Sequence, residues 1–208
     1  MIKEKNIIDI ADDDISKAVK AIQKGYLIDG YNETGMTPLQ KAAMYGYTEM
    51  VKFLLNVGAT VDRTDQDYAS TKGQHGFNTT ALMFAAQGGH TDVVEILIKH
   101  GADVNHQDSR RWTALMTSSK NGYKDTVDLL LKHGARVGIF NNNYDTAISL
   151  AKRFGQAEIA AKLKEAHDNN ESNIFPAIAE LEQKIKAIEE KYNSKINCRY
   201  LTADGTYA

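Results

Sequence analysis

Apolar residues recur along the chain in short blocks at helical spacing, separated by turns rich in glycine and polar side chains. Val93, Val94, Ile96, Leu97 and Ile98 form one block, Leu54-Leu55 closes an earlier one and Leu130-Leu131 a later one; each ends at a glycine, Gly101, Gly58 or Gly134. A second, shorter block precedes each of these. It opens on a threonine, as in Thr37-Pro38-Leu39-Gln40, Thr80-Ala81-Leu82-Met83, Thr113-Ala114-Leu115-Met116 and Thr146-Ala147-Ile148-Ser149. A threonine hydroxyl accepts from an early helical N–H, and proline at the first helical position forfeits no bond. Gly46, Gly89, Gly122 and Gly155 fall where the short helix should end, a place that favours positive φ. The pattern predicts helix, turn, helix and loop in every unit.

The units repeat. The last three threonine motifs start 33 residues apart, and the first gap of 43 is the same period with ten residues inserted. Ala42-Ala43, Ala85-Ala86 and Ser118-Ser119 fall in register, as do Gly46-Tyr47, Gly89-His90, Gly122-Tyr123 and Gly155-Gln156. Self-similarity at a fixed period signals a stacked-repeat architecture.

These residues together resemble the ankyrin-repeat family, whose period and Thr-Pro-Leu start they share. The clearest unit is 79–105, with Ala85-Ala86, Gly89-His90, Val93-Val94 and Gly101-Ala102-Asp103-Val104-Asn105. The resemblance implies an all-α solenoid of stacked helix pairs with projecting β-hairpin fingers over residues 1–167. The units fall at about 6–31, a degenerate N-terminal cap, then 32–64, 75–107, 108–140 and 141–167, with an insertion at 65–74. Arg111 and Tyr144 stand where the family often has glycine at the finger turn, and Asn78 departs more gently because asparagine tolerates left-handed backbone.

Two segments lie outside the repeat. The insertion is polar, with Tyr68 and His75 in a lengthened finger that is either a tolerated surface loop or a partner contact. After a break at 168–173, an amphipathic helix is expected at about 176–195, followed by a tail. Ile178, Leu181, Ile185, Ile188 and Tyr192 follow at spacings of three and four. This seam either folds back on the last repeat or pairs with a second copy as a coiled coil.

Composition narrows the function. The 208 residues carry 25 Lys plus Arg against 27 Asp plus Glu, a net charge of −2 that does not favour nucleic acid. The charge is unevenly spread: residues 1–67 hold 11 acids and 8 bases, residues 68–167 hold 9 acids and 12 bases. A single cysteine, Cys198, excludes an internal disulfide framework. No apolar run suggests a membrane span and no signal-peptide block opens the chain, so the expected location is cytoplasmic, non-classical secretion as an effector remaining open. No phosphate-binding loop, nucleophile elbow or zinc-protease motif is present. His90, His100 and His133 sit at family structural positions. His75 and His106 are too few for zinc, and Asp12, Asp13 and Asp14 suit a helix start. No catalytic residue, cofactor or metal site is expected.

Function therefore falls to binding. The resemblance implies a concave face made of the fingers and inner helices. Carried over by register, the expected partner-binding residues are Met36, Tyr45, Phe77, Arg110, Trp112, Lys120, Asn121, Asp145, Arg153 and Phe154. Interface hot spots favour Trp, Tyr and Arg, and Trp112 is the sole tryptophan, directly after Arg110-Arg111. The reading is a non-enzymatic scaffold that binds a partner protein, with no membrane role. Its alternatives are a bacterial or viral ankyrin effector acting on a host protein, and a module for a small ligand or metal. A homodimer through the C-terminal helix is a further expectation.

Overall fold

The computed structural model describes residues 14–32, 35–64 and 77–197. The 65–74 insertion, His75, Asp12, Asp13, Cys198 and the tail lie outside the described residues. The chain divides into two units, Met1–Lys164 and Glu165–Ala208.

In the first unit, α1 (Ile15–Gln23) belongs to the N-terminal cap. Three helix pairs follow: α2 (Pro38–Tyr45) with α3 (Thr48–Asn56), α4 (Ala81–Gly88) with α5 (Thr91–Lys99), and α6 (Ala114–Asn121) with α7 (Lys124–Lys132). Then come α8 (Ala147–Arg153) and α9 (Ala157–Asn197), whose first turns Ile159, Ala160 and Leu163 are buried. The short helices α2, α4, α6 and α8 pack in sequence as one row, and α3, α5 and α7 form the second row, with α1 against α3. This is the helical repeat solenoid that the 33-residue period predicts.

Each pair is built by the residues that mark it in the sequence. The N–H groups of Gln40, Met83, Met116 and Ser149 donate to the hydroxyls of Thr37, Thr80, Thr113 and Thr146 at 3.2–3.4 Å. At the other end, Gly46, Gly89 and Gly122 take φ of 72°, 71° and 84°. They also admit a neighbour: a Cβ on Gly89 would meet the Tyr123 ring at 2.7 Å, and one on Gly46 the His90 ring at 2.5 Å. The core between pairs is Leu39, Leu54, Leu82, Leu97, Leu115 and Leu130, with the alanines that let the short helices approach.

A ladder of loop side chains fixes the stagger between units. Asp29 accepts from Thr60 N–H at 3.0 Å, Asp62 from Asp103 N–H at 3.0 Å, and Asn105 from Arg136 N–H at 2.8 Å. Asp29 thus places the degenerate first unit in the same register as the others. Gln40, fully buried, donates from its amide to Arg63 O at 3.0 Å and Thr79 O at 2.8 Å. It ties Arg63, before the insertion, to Thr79, after it.

Two expectations change. The fingers are hairpin turns without strands among the described residues; an isolated bridge, Phe140 with Thr146, is the β-type pairing seen there. Their N–H groups are taken by carbonyls across the same turn, by Asx side chains and by the preceding finger, as set out below. The expected break at 168–173 is helical, because α9 runs through it. Asp, Asn and Ser each cost a helix about 0.5 kcal/mol relative to alanine and Pro176, inside the same helix, about 3 kcal/mol, yet α9 continues through both. In the second unit, Leu181, Ile185, Ile188 and Tyr192 lie along this helix and are exposed.

Candidate functional site: the finger and inner-helix groove

The fingers are shaped by one side chain each. Asp108, 5% exposed, accepts at Oδ1 from Arg110 N–H at 2.9 Å and Trp112 N–H at 2.7 Å. Asn141, 33 residues on, accepts at Oδ1 from Asn143 N–H at 2.8 Å and Asp145 N–H at 3.0 Å. Asn32 accepts from Met36 N–H at 2.9 Å in the second unit of the stack. Asx side chains close turns this way. Sequence reasoning missed Asp108 and Asn141; the signal was their shared position in the period.

Neighbouring fingers are bonded to one another. Ser109 N–H donates to Phe77 O at 2.7 Å and Asn142 N–H to Arg110 O at 3.0 Å. Side chains repeat the connection. The Arg110 guanidinium lies 4.5 Å over the Phe77 ring of the preceding finger, and that of Arg111 4.5 Å over the Phe140 ring of the following one. Phe140 in turn stacks on Tyr144 at 5.9 Å. The turn residues Asn78, Arg111 and Tyr144 have φ of 58°, 61° and 62°, so the sequence departures from glycine keep the left-handed turn and accept its strain.

Beneath these fingers lies a groove of about 430 Å³. Six of the ten expected residues line it: Met36, Phe77, Arg110, Trp112, Lys120 and Asn121. Its floor adds Met83 and Phe84, two inner-helix positions that the register argument did not select. Asn121 donates to Gln87 O at 3.1 Å. The Lys120 ammonium stands 5.6 Å from the Trp112 ring centre and 4.9 Å from that of Phe154. Phe154 is thereby joined to the groove through Lys120. Tyr45, exposed, stacks on Tyr47 at 5.7 Å and is not among the lining residues.

Arg153 and Asp145 face each other. Arg153 Nη1 donates to Asp145 Oδ2 at 3.1 Å, and Nη2 to Oδ1 completes a bidentate pair. Asp145 is 5% exposed. Its carboxylate is therefore turned inward, where it orients Arg153 rather than meeting solvent.

The remaining chemistry is structural. Asp14 caps α1 through Ser16 and Lys17, and its hydrogen bond from the Ser16 hydroxyl holds its carboxyl below the usual carboxylate range. Burial raises the Asp62 carboxyl, against the opposing bond from Asp103 N–H. His106 Nε2 lies 2.8 Å from Asn78 O. Among the described residues, no group of three or more His, Cys, Asp or Glu is placed to hold a metal ion, and no helix is long and apolar enough to cross a membrane.

The architecture and the sequence agree with a known family. A model for ankyrin repeats, in three copies, matches residues 10–108 and again 66–141. The chain belongs to the ankyrin-repeat family. Ankyrin repeats generally mediate protein–protein interaction. Comparison with curated proteins returns no match.

Proposed function

We propose that this ankyrin-repeat protein is a non-enzymatic scaffold that binds a partner protein in the groove under the fingers that carry Met36, Phe77 and Trp112. The carrying observation is convergence: six residues selected by register alone line one groove. The contact set is Met36, Phe77, Arg110, Trp112, Lys120 and Asn121, extended by Phe154, by Arg153 held on Asp145, and by Tyr45. Side chains already fixed by Asx turns and ring contacts lose little freedom on binding. The test is affinity capture with the intact chain against the Arg110→Ala/Trp112→Ala double variant, both with unchanged circular dichroism. The proposal expects the captured partner to be lost; equal capture by both forms would refute the site.

A second reading concerns the second unit. Leu181, Ile185, Ile188 and Tyr192, at alternating spacings of four and three, are 58%, 55%, 66% and 68% exposed. That seam fits a second copy of this chain. If Leu181 and Ile188 take the d positions, Lys184 falls at g and Glu189 at the following e. A parallel pair then sets Lys184 of one copy against Glu189 of the other, twice by symmetry. An antiparallel pair would oppose Lys184 to Lys191. The expected result is a dimer by sedimentation that becomes a monomer with Ile185→Glu; a monomeric parent chain at high micromolar concentration would refute it.

A further inference from the structure

Two cations and one buried carboxylate line the groove, and the way these charges are held points to the chemistry of its occupant. Among the described residues that line it, the cations are Arg110 and Lys120 and the one carboxylate is Asp108. Asp108 is consumed: it is buried, and its Oδ1 accepts two backbone N–H groups. Its Oδ2 stands 3.7 Å from Arg110 Nη2, beyond hydrogen-bond length, and the Arg110 side chain is 60% exposed. Asp145, the next acid along the fingers, is likewise buried and bound by Arg153.

Lys120 and Arg110 are held by rings instead. Trp112 and Phe154 flank the Lys120 ammonium, and Phe77 lies under the Arg110 guanidinium. An aromatic face attracts a cation through its quadrupole without neutralising it. Both positive charges are thus positioned in advance: Arg110 shares the groove with the Asp108 carboxylate 3.7 Å away, and Lys120 has no carboxylate within ion-pair distance among the described residues. The apolar floor of Met36, Met83 and Phe84 lies beside them.

We infer that the groove receives an acidic segment of a partner protein, in which an Asp or Glu carboxylate meets Lys120 and Arg110 and an adjacent apolar side chain meets Phe84 and Met36. This rests on the scaffold reading above and names the partner's chemistry. A protein segment is the occupant in keeping with the family's general role in protein–protein interaction.

Trp112 supplies its own readout, since no other tryptophan contributes emission. The probe is a phage library of random dodecapeptides selected on the intact chain. Synthetic copies of the enriched peptides are then titrated against Trp112 emission at low and high salt. The expected result is enrichment of Asp and Glu next to an apolar residue, binding that weakens with salt, and at least a tenfold loss on Arg110→Gln/Lys120→Gln. An unchanged denaturation midpoint in the double variant verifies its fold. Peptides that shift Trp112 emission but are neutral or basic, or that bind the double variant within twofold, overturn this inference and leave the scaffold reading standing. Enrichment of nothing, or only of peptides that leave Trp112 emission unmoved, overturns both. Oligothymidylate or free glutamate binding as tightly as the best peptide overturns the assignment to a protein segment.

Discussion

Replacing Tyr144 tests whether the finger turns are strained. Tyr144 has φ of 62° and is 83% exposed. An L-residue in the left-handed region costs about 1–2 kcal/mol that glycine avoids. Glycine gives back about 0.4–1 kcal/mol through greater freedom of its unfolded chain. Tyr144→Ala retains the strain and loses the stack on Phe140; Tyr144→Gly loses the same stack and relieves the strain. Subtracting one variant from the other cancels the stack, so the glycine variant should be the more stable by about 0.5–1 kcal/mol. The same pair at Arg111, φ 61°, should give the same sign, because the lost contact with Phe140 also cancels. A control at Lys52, inside α3, should reverse it, with alanine favoured by about 1 kcal/mol. Urea denaturation followed by circular dichroism measures all six variants, compared only at matched slopes. Alanine equalling or exceeding glycine at both Tyr144 and Arg111 would show that these turns are not strained.

Three shorter predictions follow from single contacts. Asp108→Ala should destabilise by about 2–3 kcal/mol, because it strands two N–H groups that a buried carboxylate satisfied, whereas Asp108→Asn should retain most stability, since Asn141 closes the next finger in that form; thermal denaturation of both variants decides it. Gly89→Ala should cost at least about 1–2 kcal/mol, as the added methyl both strains φ of 71° and meets the Tyr123 ring, and chemical denaturation would detect it. Asp62, raised by burial, contributes stability that is present below the ordinary carboxylate value and lost as pH rises through its folded value; Asp62→Asn should therefore gain on the parent chain as pH rises above the ordinary carboxylate value in parallel urea titrations, and a constant difference would contradict this.

The features written locally in the sequence are the ones that proved legible. Threonine caps and left-handed glycines act within one helix, so the period reveals them directly. Stacking then places equivalent positions beside each other, which is why Met36, Thr79 and Trp112, Phe77 and Arg110, and Gln87 and Lys120 converge although no motif joins them. What escaped depends on reach between elements. Arg153 turns Asp145 inward from eight residues away, a pairing that surface register alone does not distinguish from exposure. Asp108 carries no local signature, because its two acceptor bonds are to backbone that follows it in the turn. The segment 168–173 read as a break because polar residues cluster there and Pro176 follows, yet α9 runs through both.

Strain at Arg111 has a reason that its own finger does not contain. Two consecutive residues, Arg110 and Arg111, send their guanidinium groups to opposite neighbours, Phe77 before and Phe140 after, each at 4.5 Å. Arg111 stands at the positive-φ position of that turn. Glycine there would satisfy the backbone without strain and leave the fourth finger without its cationic contact. Each repeat contacts only its neighbours, so a finger flanked on both sides can offset local strain with two interfaces. The third finger is so flanked, and it holds Arg110, Arg111 and Trp112 together. Rigidity of the groove is therefore a property of three fingers acting jointly: removing either ring, Phe77 or Phe140, should loosen an arginine that belongs to a different repeat.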